Sequence, residues 1–446
     1  MEIGNRIRFY RIQKNMTQEE LAKGIISTSY LSKIENNQTQ PSGEVLSYLS
    51  KRLDIQLIEQ EEITLMEDLF KWYEDIIHYR KNEVESQYEL LKDRINFSND
   101  TTALIFFTLF ELRYFFFAGK HEYLDRSLEK INLYSDILED KMIYFFYKFK
   151  GMYHYVNRQY IKALDHLKYA EEHISNQMAF ESWEKADLFY MIGLCLNQMR
   201  KPALSIQYTN SALLIFRSVY NLRRCGEAQV LLGLNFQRVN EFKKAYENYQ
   251  LALVIAKQLD ETDLLGIIYH NIGYYHFNQL EYEKALTNFN LALQYKKIER
   301  EESMLVTMYW IMQTFYFQDN KDQVALWLEK GEELLKRYPR KDFEYRFKVF
   351  RFLMEEILDE VFEKFLEKEV IPYFKDQNYE DEVILFSKFL AVHFENQNKY
   401  KAACHYYRMV INAVNEQNNR TNAYDRIIQL HANKIKAKSQ KVITKV

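Results

Sequence analysis

Residues 271–292 of this 446-residue chain read NIGYYHFNQLEYEKALTNFNLA, and the small residues in this stretch decide the fold. Gly273 is followed after twelve residues by Ala285, and after a further seven by Ala292. Small side chains at these intervals let two helices cross closely, and the aromatic residues between them fill the remaining space. The stretch therefore predicts a hairpin of two antiparallel helices joined by a short turn.

The same spacing recurs upstream with a period of 40 to 42 residues, counted from the glycines at positions 151, 193, 233 and 273. The small residues after twelve positions are Ala163, Ser205, Ala245 and Ala285, and those after nineteen are Ala170, Ala212, Ala252 and Ala292. A fifth copy keeps Ala325, and a later copy runs through Ala391 and Ala403. A fixed period of this length is the signature of a repeat array, in which each hairpin packs on its neighbours.

The repeats resemble the tetratricopeptide repeat (TPR), although the unit has about 40 residues instead of the usual 34. The resemblance implies a right-handed superhelical solenoid of about eight to nine helix hairpins over residues 67–430, with a concave inner face. A basic C-terminal tail, 431–446, follows with five lysines and no acidic residue. That tail is either a frayed terminal cap or an arm for a DNA backbone.

The composition favours an all-α protein and lacks the overall excess of positive charge that is typical of proteins binding nucleic acid over a large surface. The chain has only 11 Gly and 4 Pro, too few for the turns and loops of sandwich, barrel or Rossmann folds, and its net charge is −3. Three distant cysteines and the absence of an N-terminal apolar segment indicate a cytoplasmic protein. Charged residues interrupt the most apolar stretch, 103–119, so it is too charged to span a membrane. We expect no metal and no cofactor.

The first 57 residues predict a separate domain of short helices, followed by a linker at 58–66. Thr17 and Glu20 have the spacing of a capping box, which opens a short helix that Gly24 ends. A third helix begins near Ser27, and a fourth begins at Ser42 or Gly43 and ends near residue 53. Two short helices joined by a tight turn are typical of a helix-turn-helix, whose second helix enters the major groove of DNA.

Residues 17–42, TQEELAKGIISTSYLSKIENNQTQPS, resemble the DNA-binding domain of the lambda/434-repressor-like (XRE) family. The resemblance implies that Gln18 braces the DNA backbone, that the start of the third helix reads base edges, and that the loop after it lies near phosphates. The candidate residues are Gln18, Ser27, Thr28, Ser29, Lys33, Asn36 and Thr39. The alternative is that they are ordinary solvated helix residues. Residues 1–55 hold eight basic and six acidic side chains. Such a weakly charged monomer should bind weakly, so we expect a dimer on two half-sites.

An XRE domain followed by long TPR-like repeats resembles the RNPP family of Gram-positive bacteria, which contains the Rap, NprR, PlcR and PrgX proteins. Length and layout are most similar to the NprR branch. The resemblance implies a quorum-sensing transcription regulator that binds operator DNA and, in the concave TPR groove, a short signalling peptide. Peptide binding would change DNA binding or oligomeric state in a homodimer or higher oligomer. Inner-facing repeat positions give the peptide candidates Lys148, Tyr190, Asn197, Asn235, Gln237, His270, Asn271, Tyr274 and Trp310.

Two alternatives remain open at this point. The first is a Rap-like switch that binds or dephosphorylates a response regulator; the resemblance places the catalytic Gln of Rap proteins at Thr101, which lacks the amide that orients water. The sequence also lacks the glycine-rich and His-Glu-x-x-His motifs of common enzymes, so we expect no enzymatic activity. The second alternative keeps DNA binding and makes the repeats a dimer scaffold without a ligand.

Overall fold

The structure is a computed structural model that describes residues 2–55, 63–98, 100–174, 180–299, 301–355 and 359–418. Within these ranges the regular elements are helices, which confirms the all-α prediction. The basic tail at 431–446 and residues 58–62 of the expected linker lie outside them. The α-helices are α1 (Ile3–Gln13), α2 (Gln18–Ala22), α3 (Thr28–Glu35), α4 (Gly43–Leu53), α5 (Ile63–Ile77), α6 (Lys81–Phe97), α7 (Thr101–Ala118), α8 (Leu124–Asn132), α9 (Asp140–Val156), α10 (Tyr160–His173), α11 (Ser182–Gln198), α12 (Pro202–Ser218), α13 (Leu222–Arg238), α14 (Phe242–Gln258), α15 (Thr262–Asn278), α16 (Tyr282–Glu299), α17 (Met304–Phe317), α18 (Lys321–Arg337), α19 (Lys341–Met354), α20 (Glu360–Phe365), α21 (Ile371–Asp376), α22 (Glu380–Asn396) and α23 (Tyr400–Asn418).

The chain divides into two compact units. The first unit consists of Met1–Cys195 and Ile206–Leu232, and the second of Leu196–Ser205 and Gly233–Val446. Helix α5 begins at Ile63, so the C-terminal part of the expected linker, 63–66, is helical. The reason is its apolar pattern, which buries residues such as Leu65 and Leu69.

Helices α1 to α4 form the small N-terminal domain of the first unit. Its core includes the fully buried side chains of Ile7, Leu31 and Leu49. Gly4 lets α1 cross α3 closely, because a Cβ at this position would lie 1.9 Å from the carbonyl oxygen of Ile34. The arrangement fixes the angle between α1 and α3, and so the orientation of the helix predicted to contact DNA.

Helices α5 to α8 surround an aromatic core. Trp72 and Phe110 are fully buried, and the ring of Tyr73 stacks on Phe110 with centroids 4.4 Å apart. Among the described helices, α7 is long and apolar enough to cross a membrane, but 72% of it is buried inside the protein. Its apolar composition is therefore explained by its place in this core.

The repeat pattern has a direct structural counterpart. All eight small residues at the second and third repeat positions are fully buried. A Cβ on Gly273 would lie 2.5 Å from a ring atom of Phe289, sixteen residues later, and Gly233 stands in the same relation to Tyr249 at 2.4 Å. Each of these glycines makes room for a bulky side chain on the next helix of the repeat.

The turns between helices explain why so few glycines are sufficient. A residue in the left-handed conformation follows many of the helices, as at Arg158, Arg200, Asn240 and Leu280, whose φ angles lie between 52° and 62°. Glycine usually occupies such positions, because other residues adopt them at some cost in free energy. Here a backbone hydrogen bond closes each turn, such as the one from the N–H of Arg158 to the carbonyl oxygen of Tyr155. The sequence carries no glycine signal at the ends of these helices.

Candidate functional site

Helix α3 is held firmly in the N-terminal domain. The hydroxyl of Ser27 caps it by accepting a hydrogen bond, 3.2 Å long, from the backbone N–H three residues later. Thr17 and Glu20 form the reciprocal capping box of α2 that the sequence predicted. Leu31 and Ile34 are fully buried, so the opposite face of α3 is directed to solvent.

The polar residues predicted to contact DNA lie mostly on this outer face. Thr28, Ser29 and Lys33 have no side-chain hydrogen bond or ion pair with any other described residue, and their donors and acceptors are free for an external partner. The exposed candidates are Ser27, Thr28, Ser29, Lys33 and Asn36, whereas Thr39 is half-buried.

Gln18 makes a hydrogen bond inside the N-terminal domain, which the sequence did not indicate. Its amide Nε2 donates to Oε2 of Glu35 over 2.8 Å. Arg11 donates two hydrogen bonds to the same carboxylate, from Nε to Oε1 over 2.6 Å and from Nη2 to Oε2 over 2.9 Å. Glu35 is only 1% exposed. Because the amide nitrogen of Gln18 is used inside the domain, we assign Gln18 to the positioning of α3 and leave it out of the DNA contacts proposed below.

Helix α1 also contacts residues 134–139 of the first unit, which sequence reasoning missed. Arg8 pairs with Asp136 over 2.6 Å, and the ring of Phe9 lies on Tyr134 with centroids 4.4 Å apart. Phe9 and Tyr134 are each 3% exposed. The pattern offered no signal for this contact, because the two segments are about 130 residues apart and follow no repeat.

Lys148 is fully buried in the first unit and holds two carboxylates. Its Nζ lies 2.5 Å from Oε1 of Glu184 and 2.7 Å from Oδ2 of Asp187. Burial alone would raise the pKa of Asp187, but the positive charges of Lys148 and Arg224 hold it well below its ordinary value. The ammonium group is thus committed to an internal ion cluster, so we exclude Lys148 from the peptide contacts.

Tyr190 belongs to the same cluster. The guanidinium of Arg224 lies over its ring, 4.5 Å from the centroid, and also pairs with Asp187 and Glu227. Burial is the main reason that the pKa of Tyr190 is raised above its ordinary value. Tyr190 therefore packs against a buried cation, which explains an aromatic residue at this position without a ligand.

Asn197 and Asn235 form a polar ladder inside the second unit. Asn197 Nδ2 donates to Oδ1 of Asn235 over 3.0 Å, and Asn235 Nδ2 donates to the hydroxyl of Ser205 over 2.8 Å. Asn197 is 3% exposed, and Asn235 and Ser205 are fully buried. The ladder ties α11, α12 and α13 together, so we leave both amides out of the peptide contacts proposed below.

His270 and Asn271 also have internal partners. The amide of Asn271 donates back to the carbonyl oxygen of Ile267 over 2.9 Å, one helical turn earlier. His270 Nδ1 lies 3.0 Å from the hydroxyl of Thr307, and burial lowers the pKa of the imidazole well below its ordinary value. Both side chains are half-buried. Asn271 keeps an accessible carbonyl oxygen and stays a candidate, whereas His270 mainly joins α15 to α17.

The remaining three candidates lie close together in the second unit. The ring of Tyr274 packs on Trp310 with centroids 4.7 Å apart. Tyr274 and Gln237 both line a cavity of ≈ 300 Å³ that also contains Arg200 and Arg238. Asp381 completes the cavity wall and pairs with Arg200. The repeat positions indicated Gln237 and Tyr274, but nothing in the sequence connected residue 381 with the turn at residue 200.

Thr101, at which the resemblance places the catalytic Gln of Rap proteins, is fully buried at the start of α7. Its hydroxyl has no hydrogen-bond partner within the described part of the chain. In the described ranges, no group of three or more His, Cys, Asp and Glu side chains is placed to hold a metal ion.

Comparison with known proteins gives one domain family and relatives that match over most of this chain. The Helix-turn-helix family matches residues 7–60. The transcriptional activator NprA of Geobacillus stearothermophilus is 34% identical over 398 residues, which cover 87% of this chain and 97% of that protein. Response regulator aspartate phosphatase I of Bacillus subtilis is 26% identical over 363 residues, covering 77% of this chain and 89% of the phosphatase.

A solved structure shows the same fold. The crystal structure of NprR in complex with its cognate peptide NprX superposes with a TM-score of 0.62 and 21% identity. The superposition covers 79% of this chain and all of that one. This similarity shows that the helices after the N-terminal domain have the TPR-like solenoid fold predicted from the repeat spacing.

Proposed function

This chain belongs to the RNPP family of bacterial regulators, and from that membership we propose that it controls transcription by binding operator DNA and a short peptide. Helix α3 contacts the operator, and the second unit binds the peptide. Peptide binding favours one conformation of the protein, and this shift in population changes its affinity for DNA or its oligomeric state.

The exposed face of α3 is the observation that carries the DNA-binding part. Thr28, Ser29 and Lys33 offer two hydroxyls and an ammonium group that have no partner within the described chain. A major groove about 12 Å wide admits a helix and presents donors and acceptors on its base edges. The capped and internally braced helix presents these groups in one orientation, which favours sequence-specific readout. Asn36 and Thr39 follow α3 and lie near the phosphates.

The peptide-binding part depends on the second unit and on the relatives. Gln237, Asn271, Tyr274 and Trp310 are the candidates whose side chains remain suited to an external ligand. Amide groups can pair with a peptide backbone, while rings enclose apolar side chains. NprR has been solved with a peptide bound, and we extend that property to this chain. We also propose that the protein is cytoplasmic, as its sequence predicts. We propose in addition that it is dimeric, since the N-terminal domain carries little excess positive charge and a single copy would bind DNA weakly.

We further propose that the chain is not an enzyme. The Rap-like alternative has support from the similarity to response regulator aspartate phosphatase I. However, the resemblance to Rap proteins places the expected catalytic amide at Thr101, which is buried away from solvent. A hydroxyl with no access to water cannot orient an attacking water molecule. Binding of a response regulator without dephosphorylation stays compatible with this arrangement.

A gel shift on the DNA that flanks the protein's own gene tests the proposal. The triple variant T28A/S29A/K33A should lose specific binding by at least tenfold, since each base-edge contact contributes about 1–3 kcal/mol of discrimination. The matched control is K51Q, which removes an exposed lysine from α4 of the same domain. Peptides encoded beside the gene should shift the affinity of the full chain. Equal binding by the triple variant and the control would contradict DNA recognition by α3.

A further inference from the structure

The cavity of ≈ 300 Å³ in the second unit is lined by several side chains with hydrogen-bond donors. It lies between the turn after α11, the end of α13, α15 and α22. Its charged residues are Arg200, Arg238 and Asp381, and its amides come from Gln237, Asn240 and Asn278. We propose that this cavity binds a carboxylate group of the signalling peptide, either the C-terminal carboxylate or an acidic side chain. The proposal rests on the peptide-binding function proposed above and assigns a chemical class to one of its subsites.

The charge of the cavity favours an anion. Arg200 forms an ion pair with Asp381, so one guanidinium is neutralised inside the protein. Arg238 has no carboxylate within ion-pair distance among the described residues. The cavity thus carries an excess of one positive charge, on a guanidinium that can hold a carboxylate through two parallel hydrogen bonds.

The surroundings of Arg238 point the same way. Partial burial, and then the nearby positive charge of Arg200, lower the pKa of the Arg238 side chain from its ordinary value. These two effects outweigh the opposing effect of the nearby Asp381 charge, so the charged form of Arg238 is only partly compensated within the protein. Much of the side chain nevertheless remains exposed, so a ligand can reach it. A carboxylate placed against Arg238 would add a directly paired counter-charge.

Gln237 supplies a second, independent observation. Its side chain is only 8% exposed, and its Oε1 accepts a hydrogen bond from the hydroxyl of Tyr249 over 3.2 Å. This bond fixes the orientation of the amide, yet the buried Nε2 has no acceptor within the described residues. Buried amide donors in proteins are nearly always paired, so an unpaired one that lines a cavity indicates a missing acceptor. A carboxylate has two oxygens and can accept from Arg238 and Gln237 together.

One arginine of the cavity already binds a carboxylate, since Arg200 forms an ion pair with Asp381 from a helix that is distant in sequence. Asp381 also places a negative charge beside the free guanidinium of Arg238. Removal of this charge should strengthen the binding of an external carboxylate, whereas loss of Arg238 should weaken it. These opposite effects distinguish a ligand subsite from residues that only stabilise the fold.

Four pools of random heptapeptides, incubated with the immobilised full-length protein and recovered for mass spectrometry, test the proposal. The first pool has free C-termini and includes Asp and Glu. The second has amidated C-termini with Asp and Glu, the third has free C-termini without Asp and Glu, and the fourth has neither source of carboxylate. We expect recovery from the fourth pool to be at least tenfold lower than from the first. Whichever of the second and third pools binds well identifies the source of the carboxylate.

Three variants complete the experiment. R238Q should reduce recovery from the first pool about tenfold, and D381N should increase it. R408Q, which removes an exposed arginine from α23 of the same unit, should behave as the wild type. Equal recovery from all four pools with unchanged behaviour of R238Q would overturn the carboxylate subsite and leave peptide binding intact. If no pool binds the wild-type protein, both the subsite and the proposed peptide-binding function are wrong.

Discussion

Glu35 is a buried carboxylate that receives hydrogen bonds from Arg11 and Gln18 and so joins α1 and α2 to α3. We predict that E35A lowers the local free energy of unfolding of the N-terminal domain by about 3–5 kcal/mol, because it leaves the partly buried Arg11 without a counter-charge. Hydrogen exchange of peptides covering α1 to α3 measures this loss. Operator binding should decrease with it. The control E19Q changes an exposed carboxylate in α2 and should leave the protection of these helices unchanged. If E35A and E19Q show equal protection from exchange, Glu35 does not have the proposed role.

Lys296 is a buried cation without a described carboxylate partner. Its Nζ donates to the hydroxyl of Thr307 over 2.8 Å and to the carbonyl oxygen of Ser303 over 3.3 Å. Burial lowers the pKa of this ammonium group to about 8. The charged side chain is therefore tolerated in the folded protein at a cost in stability, which the two neutral acceptors only partly offset.

The pH dependence of stability follows from the direction of this shift. Because the folded pKa lies below the unfolded value, the unfolded state binds more protons between about pH 8 and pH 10.4, so the contribution of Lys296 to stability rises with pH in that window. We predict that K296M is more stable than the wild type by about 1–3 kcal/mol at pH 7 and that the difference shrinks as the pH approaches 10. Urea unfolding at several pH values measures it, and a difference that does not change with pH would contradict the assignment.

At the level of elements, the repeat glycines leave room for an aromatic ring of the next helix to pack against the backbone. We predict that G273A destabilises the second unit by about 1–3 kcal/mol, because the added methyl group would lie 2.5 Å from the ring of Phe289. G43A is the matched control, since a Cβ at Gly43 in α4 meets no atom within 4 Å. Thermal unfolding should show a lower midpoint for G273A alone. The double variant G273A/F289L should recover part of the loss, and a further decrease would speak against the steric cause.

The same elements show what the sequence could predict. The spacing of glycine and alanine is a local property, so it predicted the helix hairpins, and all eight small residues are buried as expected. The capping box at Thr17 was equally readable, because its partners are three residues apart. Local patterns of this kind specify secondary structure and the packing of adjacent helices.

The candidate site was less predictable, because it depends on contacts between distant parts of the chain. The repeat position of Asn197 and Asn235 suggested a ligand-facing surface, but the two amides bond to each other across adjacent repeats. A rotation of a helix by a few tens of degrees decides between these outcomes, and the sequence pattern does not resolve it. Asp381 came near Arg200 only through the fold of the second unit, 181 residues later in the chain.

For the whole molecule, the small amount of positive charge limits the affinity for DNA. The chain has a net charge of −3, and the N-terminal domain has only two more basic than acidic residues. Phosphate contacts supply much of the affinity of a DNA-binding protein, so one domain of this charge binds weakly at physiological salt. Two domains that bind one DNA molecule together combine their contacts, which compensates for the weak binding of each.

We therefore predict that the operator consists of two half-sites whose centres are about 34 Å apart, or a multiple of this distance, which places both on one side of the DNA. Insertion of five base pairs between them rotates one half-site to the opposite side and should reduce affinity at least tenfold, whereas insertion of ten should restore much of it. Gel shifts with the three DNA spacings measure this dependence. K51Q should retain the spacing effect and T28A/S29A/K33A should abolish binding to all three. If affinity does not depend on the spacing, the protein binds its operator as independent monomers, and the peptide would have to act on the affinity of each N-terminal domain separately.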